Sequence, residues 1–332
     1  TPPGTVPKWA RYPYGCFLLF GQEHGWQPRA GLKFAIRSRV PTSMGVSSSA
    51  ALEVATLRAL EKFSGRKFAG TGLARLAQRA ENEIVGAPCG LMDQLASAYG
   101  ARGALLPILC RPDVLGEPVR LPRGVIAVGW PSGVKHAVSA SPYATARAGA
   151  FMGKKLIERA LRRQLAHATE LMPVQIRGLS RTELPLKISG RTFLARMGNV
   201  DDPLSKIEAS KTYPVRAAVA FPVEENFRAQ QAVALLQSMK PRSQEATLQA
   251  LGELMYESHA GYSSIGLGCP ETDKMVNAVR KLGPTRGFYG ARVSGGGSGG
   301  TVVVLLKRSA LPTLRRLASR LRFSPEKMPL IQ

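Results

Sequence analysis

Five of the six positions from Gly295 to Gly300 are glycine, and the run stands between Phe288–Val293 and Thr301–Lys307, two stretches that read as strands. Glycine accepts positive φ and lets a backbone come close to something bulky. Alone, such a run is a flexible hairpin tip. With valines and leucines from Val302 to Leu306 directly behind it, it reads equally as a loop pinned to a sheet. A basic amphipathic helix follows, with Leu311, Leu314, Leu317 and Leu321 on one stripe.

The rest of the chain supplies mostly helices. Leu32–Val40 alternates, with Phe34, Ile36 and Val40 opposed to Lys33, Arg37 and Arg39, and predicts a half-buried strand. It leads through Pro41-Thr-Ser-Met-Gly-Val-Ser-Ser-Ser49-Ala-Ala into a helix over about Ser48 to Phe63, stopped by Gly65. Further helices are expected over Thr71–Val85 and Leu91–Ala98, with a turn at Gly86-Ala-Pro-Cys-Gly90 between them. Gly124–Trp130 reads as a buried strand, and the pattern is helical again from Tyr143 to Leu165. A proline-rich, less regular stretch spans 171–222; two helices follow over Glu225–Tyr262, broken at Lys240-Pro241, and another over Asp273–Leu282. Helices and paired strands segregated in this way predict an α+β fold rather than alternating βαβ units. At about 150 residues per domain, 332 residues predict two domains, with the join placed at 170/171.

The charge is unusual: 46 Lys and Arg against 22 Asp and Glu give +24. Such a balance favours polyanions. The basic residues are spread out, with mild clusters at 153–163 (Lys154, Lys155, Arg159, Arg162, Arg163) and 315–327, and with neither an RNP-like aromatic box nor zinc-finger spacing. The expectation is a basic solvated surface and no nucleic-acid partner. No run approaches the ~18–20 apolar residues of a membrane span, and Thr1–Trp9 lacks the features of a signal peptide. Cys16, Cys89, Cys110 and Cys269 form no C-x-x-C pair, which speaks against zinc and for reduced thiols in a cytoplasm.

Two further segments carry candidate chemistry. In Pro41–Ala51, a strand, a Gly-Ser turn and a helix start bring free N–H groups and the positive end of a helix dipole to one place, a phosphate-binding arrangement. Ser47, Ser48 and Ser49 add hydroxyls for a phosphate or a magnesium ion; the plainer alternative is a serine N-cap. No Gly-Lys-Ser/Thr follows, so this is not a Walker A loop. In the second segment, Glu81 near one helix end and Asp93 in the first turn of the next are joined by a tight turn that brings both carboxylates to one mouth. One would hold a metal and the other take a proton; taken singly, each is also an ordinary solvated or helix-start carboxylate.

The three segments in this order, P-x-x-x-G-V-S-S-S-A-A, G-x-P-C-G-x-M-D-Q and G-G-G-x-G-G, resemble the GHMP small-molecule kinases, and the second resembles their galactokinase-type sugar branch. Trp9, Tyr12, Ser141-Pro-Tyr143 and Gly266-Leu-Gly-Cys-Pro-Glu-Thr-Asp273 fit the same branch; Arg147–Lys155, Thr192-Phe-Leu, Tyr213-Pro-Val and Glu225-Asn-Phe-Arg228 look like its L-arabinokinase subgroup. The resemblance implies the GHMP fold, an ATP-binding N-terminal domain over 1–170 and a ferredoxin-like C-terminal domain over 171–332. It implies phosphoryl transfer from ATP to the anomeric hydroxyl of galactose or L-arabinose. Pro41, Gly45, Val46, Ser47, Ser48, Ser49 and Ala50 would hold the nucleotide, with Gly295, Gly296, Gly297 and Gly299 beside them. Ser49 and Glu81 would hold Mg²⁺. Asp93 would be the base, kept ionised by a nearby cation, and Gly90, Asp93 and Tyr143 would contact the sugar.

One departure bears on activity. The family opens with a strand carrying a Gly-Arg-rich, sugar-binding motif, and this sequence contains none; His24 in Gly21-Gln-Glu-His-Gly25 follows the Trp-x-x-Tyr segment instead of preceding it and is not a match. The chain reads as a kinase lacking those opening strands. The alternative from another class is a catalytically inactive kinase-like protein that binds a ligand or nucleic acid.

Overall fold

A computed structural model describes residues 6–87, 89–110, 113–134 and 141–321. Pro88 in the expected turn, and residues 322–327 of the second basic cluster, lie outside the described residues, as does Thr1–Thr5. The chain forms two compact units, Thr1–Pro122 and Arg123–Gln332. The expected join at 170/171 falls inside the second of these, in which helices from both sides of it share one core that includes Met152, Ile157, Val215 and Val219.

The first unit is mainly helical: α1 (Arg11–His24), α2 (Ser48–Ser64), α3 (Gly72–Arg79) and α4 (Met92–Tyr99), with α3 running on into a π-helical turn, Ala80–Val85. Two small antiparallel ladders complete it, β1 (Ala104–Leu105) with β4 (Val119–Arg120) and β2 (Ile108–Cys110) with β3 (Asp113–Leu115). The apolar faces of α1, α2 and α3 meet around Phe20, Leu57, Leu60, Leu73 and Leu76. Burying each such side chain fully contributes about 1.5–3 kcal/mol. The predicted α2 is found nearly to the residue, and Gly65 ends it in the left-handed conformation, φ 75°.

The predicted strand at Leu32–Val40 is not formed. Residues 31–39 have no regular structure, and Phe34 and Ile36 are each 46% exposed. Alternation makes a strand only where a neighbour takes its hydrogen bonds, and among the described residues none pairs with this segment. Conversely, α1 went unpredicted because Pro13, Gly15 and Gly21 interrupt its apolar pattern.

The second unit holds β5 (Val125–Pro131), α5 (Ser141–Leu161), α6 (Pro173–Gly178), β6 (Ile188–Ser189), α7 (Gly190–Met197), β7 (Thr212–Tyr213), α8 (Val215–Gln237), α9 (Gln244–Ser264), α10 (Pro270–Leu282), β8 (Phe288–Val293), β9 (Thr301–Lys307) and α11 (Leu311–Leu321). Its main sheet is antiparallel in the order β5-β9-β8. The predicted hairpin β8–β9 is present, with Val293 opposite Val302. Helix α9 lies so near β8 that a Cβ on Gly252 would sit 1.9 Å from the Tyr289 carbonyl oxygen, so only glycine fits there. Helix α8 begins ten residues before the predicted Glu225 and passes through Pro222. A proline inside a helix forfeits one hydrogen bond, at about 3 kcal/mol; burial of Val215, Ala218, Val219 and Val223 on the same helix offsets it.

Candidate active site

The Pro41–Ala50 segment does not behave as a serine N-cap. Ser47 precedes α2 in the left-handed region, φ 58°, and its side chain makes no capping hydrogen bond. Ser43 (φ 59°) and Gly45 (φ 67°) are left-handed too. Left-handed residues interleaved with ordinary ones are the backbone pattern of anion-binding concavities. Each non-glycine residue held there costs of order 1–3 kcal/mol, and such strain clusters at functional sites. Pro41 and Val46 line the segment, half-buried, while Ser48, Ser49 and Ala50 form the first turn of α2, with Ala50 fully buried. No acidic residue occupies that turn to offset the helix dipole.

Ser49 and Glu81 do come together: Ser49 is near enough to Glu81 to favour the charged form of its carboxyl. Glu81 sits on the π-helical turn and is 7% exposed; single π turns recur at functional sites because they re-aim a side chain. Gln94 Nε2 donates to Glu81 Oε2 at 2.8 Å. Burial raises the Glu81 carboxyl above its ordinary range, while hydrogen bonds from Cys89, Ser49 and Gln94 act in the opposite direction. The Cys89 thiol lies 3.4 Å from the Asn82 side-chain oxygen, and the Cys89 N–H donates to that oxygen at 3.0 Å, which ties Cys89 to the π-helical turn. Burial and the Glu81 charge hold this thiol far above its usual range, so it is no nucleophile.

Asp93 stands in the first turn of α4, half-buried and near enough to act electrostatically on Glu81 and on Glu53. Among the described residues no salt bridge to Asp93 is found that would be the expected cation beside it. Gly90 is exposed in the preceding turn.

The sequence reading assigned no role to three further groups of this cluster. Glu53, one turn beyond Ser49 on α2, is fully buried and accepts from Gln94 Nε2 at 3.1 Å. Gln94 is also fully buried. Tyr12 on α1 has its hydroxyl pKa raised by burial and then by Glu81 and Glu53. The available signal was the spacing, since Ser49 and Glu53 at i and i+4 share one face of α2 with the core.

A cation would fit Ser49 and Glu81 as oxygen donors. Among the described residues no group of three or more His, Cys, Asp or Glu forms a site alone. That suits Mg²⁺, which commonly takes one or two protein oxygens and completes its shell with phosphates and water.

The other predicted residues belong to the second unit. Tyr143 is in the first turn of α5 and packs with Ala146, Ile265 and Leu267. Gly295, Gly296, Gly297 and Gly299 occupy the β8–β9 turn, which is well anchored. The Tyr262 hydroxyl donates to the Gly295 carbonyl at 2.6 Å, and the Ser298 N–H to the Leu267 carbonyl at 2.8 Å. A separate hollow of about 580 Å³ is lined by Lys155, Arg159, Arg162, Arg163 and Arg196 together with Glu158 and Asp201. It collects four of the five basic residues of the predicted 153–163 cluster, all but Lys154.

Comparison with known proteins agrees with this geometry. Residues 11–101 match the model of the GHMP kinases N terminal domain, and residues 239–321 that of the GHMP kinases C terminal. The chain belongs to the GHMP kinase family. Its relatives are sugar kinases. It is 34% identical to the L-arabinokinase of Arabidopsis thaliana over 91% of its own length and 32% of that protein's. It is 31% identical to the galactokinase of Streptomyces coelicolor over 95% of its own length and 70% of that protein's. The fold matches Lactococcus lactis galactokinase complexed with galactose at a TM-score of 0.74 and 21% identity, over 96% of this chain and 72% of that one. The chain thus spans about a third of the arabinokinase and just over two thirds of the galactokinase.

Proposed function

We propose that this chain is an ATP-dependent sugar kinase that phosphorylates the anomeric hydroxyl of galactose or L-arabinose with the help of Mg²⁺. One observation carries the reading. The uncapped, strained start of α2 leads straight into Ser49, which lies near enough to Glu81 to favour its charged form, and Asp93 is within electrostatic reach of Glu81.

In this reading the backbone of Gly45–Ser48, flanked by Pro41, Val46 and Ala50, receives the nucleotide phosphates. Ser49 and Glu81 hold the cation. When bound, Mg²⁺ offsets negative charge on the phosphate oxygens. Asp93 accepts the proton of the sugar hydroxyl, whose oxygen forms the new bond to the γ-phosphorus as the bond to the ADP oxygen breaks. Gly90 contacts the sugar from the same turn. The contributions of the second unit, Tyr143 to the sugar and Gly295, Gly296, Gly297 and Gly299 to the nucleotide, rest on the family resemblance. No helix of the described residues is long and apolar enough to cross a membrane. Four cysteines with no C-x-x-C pair suit a reducing compartment, and the cytoplasm is the proposed one.

The test is sugar-dependent ADP release by the full chain with galactose and with L-arabinose. Asp93→Asn is expected to lower kcat by at least about 100-fold, within the usual range for a general base. Full turnover by Asp93→Asn would remove the base assignment, and no ADP release with either sugar once the opening strands of its relatives are restored would remove the kinase reading. A second reading, an inactive kinase-like protein that binds nucleic acid, draws on the arginine-lined hollow. It predicts DNA affinity that falls steeply with salt. Part of that charge is already engaged, however: Arg163 pairs with Glu170 at 3.0 Å and Lys155 faces Asp201 at 4.0 Å.

A further inference from the structure

Glu53 has no exposed surface, and the phosphoryl-transfer reading makes no use of it. Carboxyls are almost never buried so completely unless paired, and here the pairing is partial. Glu53 Oε2 accepts one hydrogen of Gln94 Nε2 at 3.1 Å, whereas Glu53 Oε1 is buried with no hydrogen-bond partner. The other hydrogen of the same nitrogen goes to Glu81 Oε2 at 2.8 Å, and Gln94 Oε1 is also buried and unpartnered. One amide nitrogen therefore spans two carboxyls. It also ties three elements together: α2, which carries Ser49; the π-helical turn, which carries Glu81; and α4, on which Gln94 is the neighbour of Asp93.

We propose that Glu53 is a positioning residue for the Ser49–Glu81 pair, acting through Gln94 to fix the direction of the Glu81 carboxylate. The inference rests on the kinase reading of that pair. Its chemistry is simple. An amide held at one end by Glu53 cannot rotate its N–H away from Glu81. Burial, then the Glu81 charge, pushes the Glu53 carboxyl up to about 9, so at neutral pH it offers Gln94 an oxygen without setting a second negative charge beside Glu81. A glutamine at position 53 offers the same oxygen; a leucine of similar bulk offers none.

The experiment measures Mn²⁺ binding in the presence of ADP by electron paramagnetic resonance, on the full chain and on Glu53→Gln, Glu53→Leu and Gln94→Met. Glu53→Gln is expected to bind like the wild type. Glu53→Leu and Gln94→Met should each lose about 10–100-fold in metal affinity, the usual effect of removing a group that orients a metal ligand. Combining them should add little, because both cut the same chain. Binding of metal-free ADP should not move, which a general loss of structure would not permit. Wild-type affinity in Glu53→Leu, or an equal loss in Glu53→Gln, overturns the proposal. Should Glu53→Leu fail to fold, Gln94→Met decides by the same criterion. Absence of Mn²⁺ uptake by the wild type removes the kinase reading and this inference together; uptake that no variant alters removes this inference alone.

Discussion

Each unit of the chain buries a titratable side chain, and the two are satisfied to different degrees. In the second unit His259 is 7% exposed and has both ring nitrogens engaged: Nε2 meets Asp273 Oδ1 at 2.9 Å, and Nδ1 accepts the Val293 N–H at 3.3 Å. It joins α9 and α10 to the last residue of β8, at the root of the glycine-rich turn. In the first unit Glu53 is fully buried, with one oxygen engaged and the other idle. A fully engaged buried group holds structure together. An idle one is a standing cost of folding, and such costs are tolerated where function needs the group. The difference separates a structural histidine from a glutamate that serves a site.

The comparison can be broken by substitution. His259→Leu should be the more damaging change, because it strands the buried Val293 N–H; an unmet donor costs about 1–3 kcal/mol, read as a lower denaturation midpoint. Glu53→Leu should cost less, because it removes an unpartnered buried oxygen along with the bond to Gln94, and the Gln94 nitrogen it strands in part keeps its bond to Glu81. A large loss of stability in Glu53→Leu would place Glu53 with His259 as a structural residue.

A smaller effect sharpens the same contrast through pH. Glu53 keeps its proton in the fold up to about 9, against an ordinary 4.5, so the stability linked to it is complete below about 4.5 and is lost as pH rises towards about 9. For His259 the sign is opposite. Burial lowers its pKa from 6.5, so its share is present above that value and is lost as pH falls below it. Denaturation midpoints should therefore show the wild type losing ground to Glu53→Gln as pH rises from about 4.5 towards about 9, and losing its advantage over His259→Leu as pH falls below 6.5. Parallel profiles for wild type and Glu53→Gln would mean that Glu53 is ionised in the fold.

What could be read from the sequence follows from what kind of signal each feature leaves. Helix α2 and the β8–β9 hairpin announce themselves through period and punctuation: Gly65 stops one, and Ser294–Gly300 joins the strands of the other. Ser49, Glu81 and Asp93 were legible as motif residues, and the first two do meet. The strand expected at Leu32–Val40 failed because alternation describes a segment, whereas pairing needs a second one. The whole of α1 was hidden by Pro13, which helices accept in their first turn, and by glycines within its apolar run. Glu53 was illegible for a different reason. Between Leu52 and Val54 on an Ala- and Leu-rich helix it reads as one more solvated glutamate, and only tertiary packing puts it in the core beside Gln94.

The most direct measurement is a crystal structure of the chain with ADP, Mg²⁺ and galactose or L-arabinose. The arrangement predicts Mg²⁺ held by the Ser49 hydroxyl and a Glu81 oxygen, at about 2.0–2.1 Å where the contact is direct, or through one water. It predicts an Asp93 oxygen about 2.6–3.2 Å from the anomeric hydroxyl. Mg²⁺ and nucleotide bound away from the start of α2, or a sugar whose anomeric hydroxyl faces away from Asp93, would contradict it.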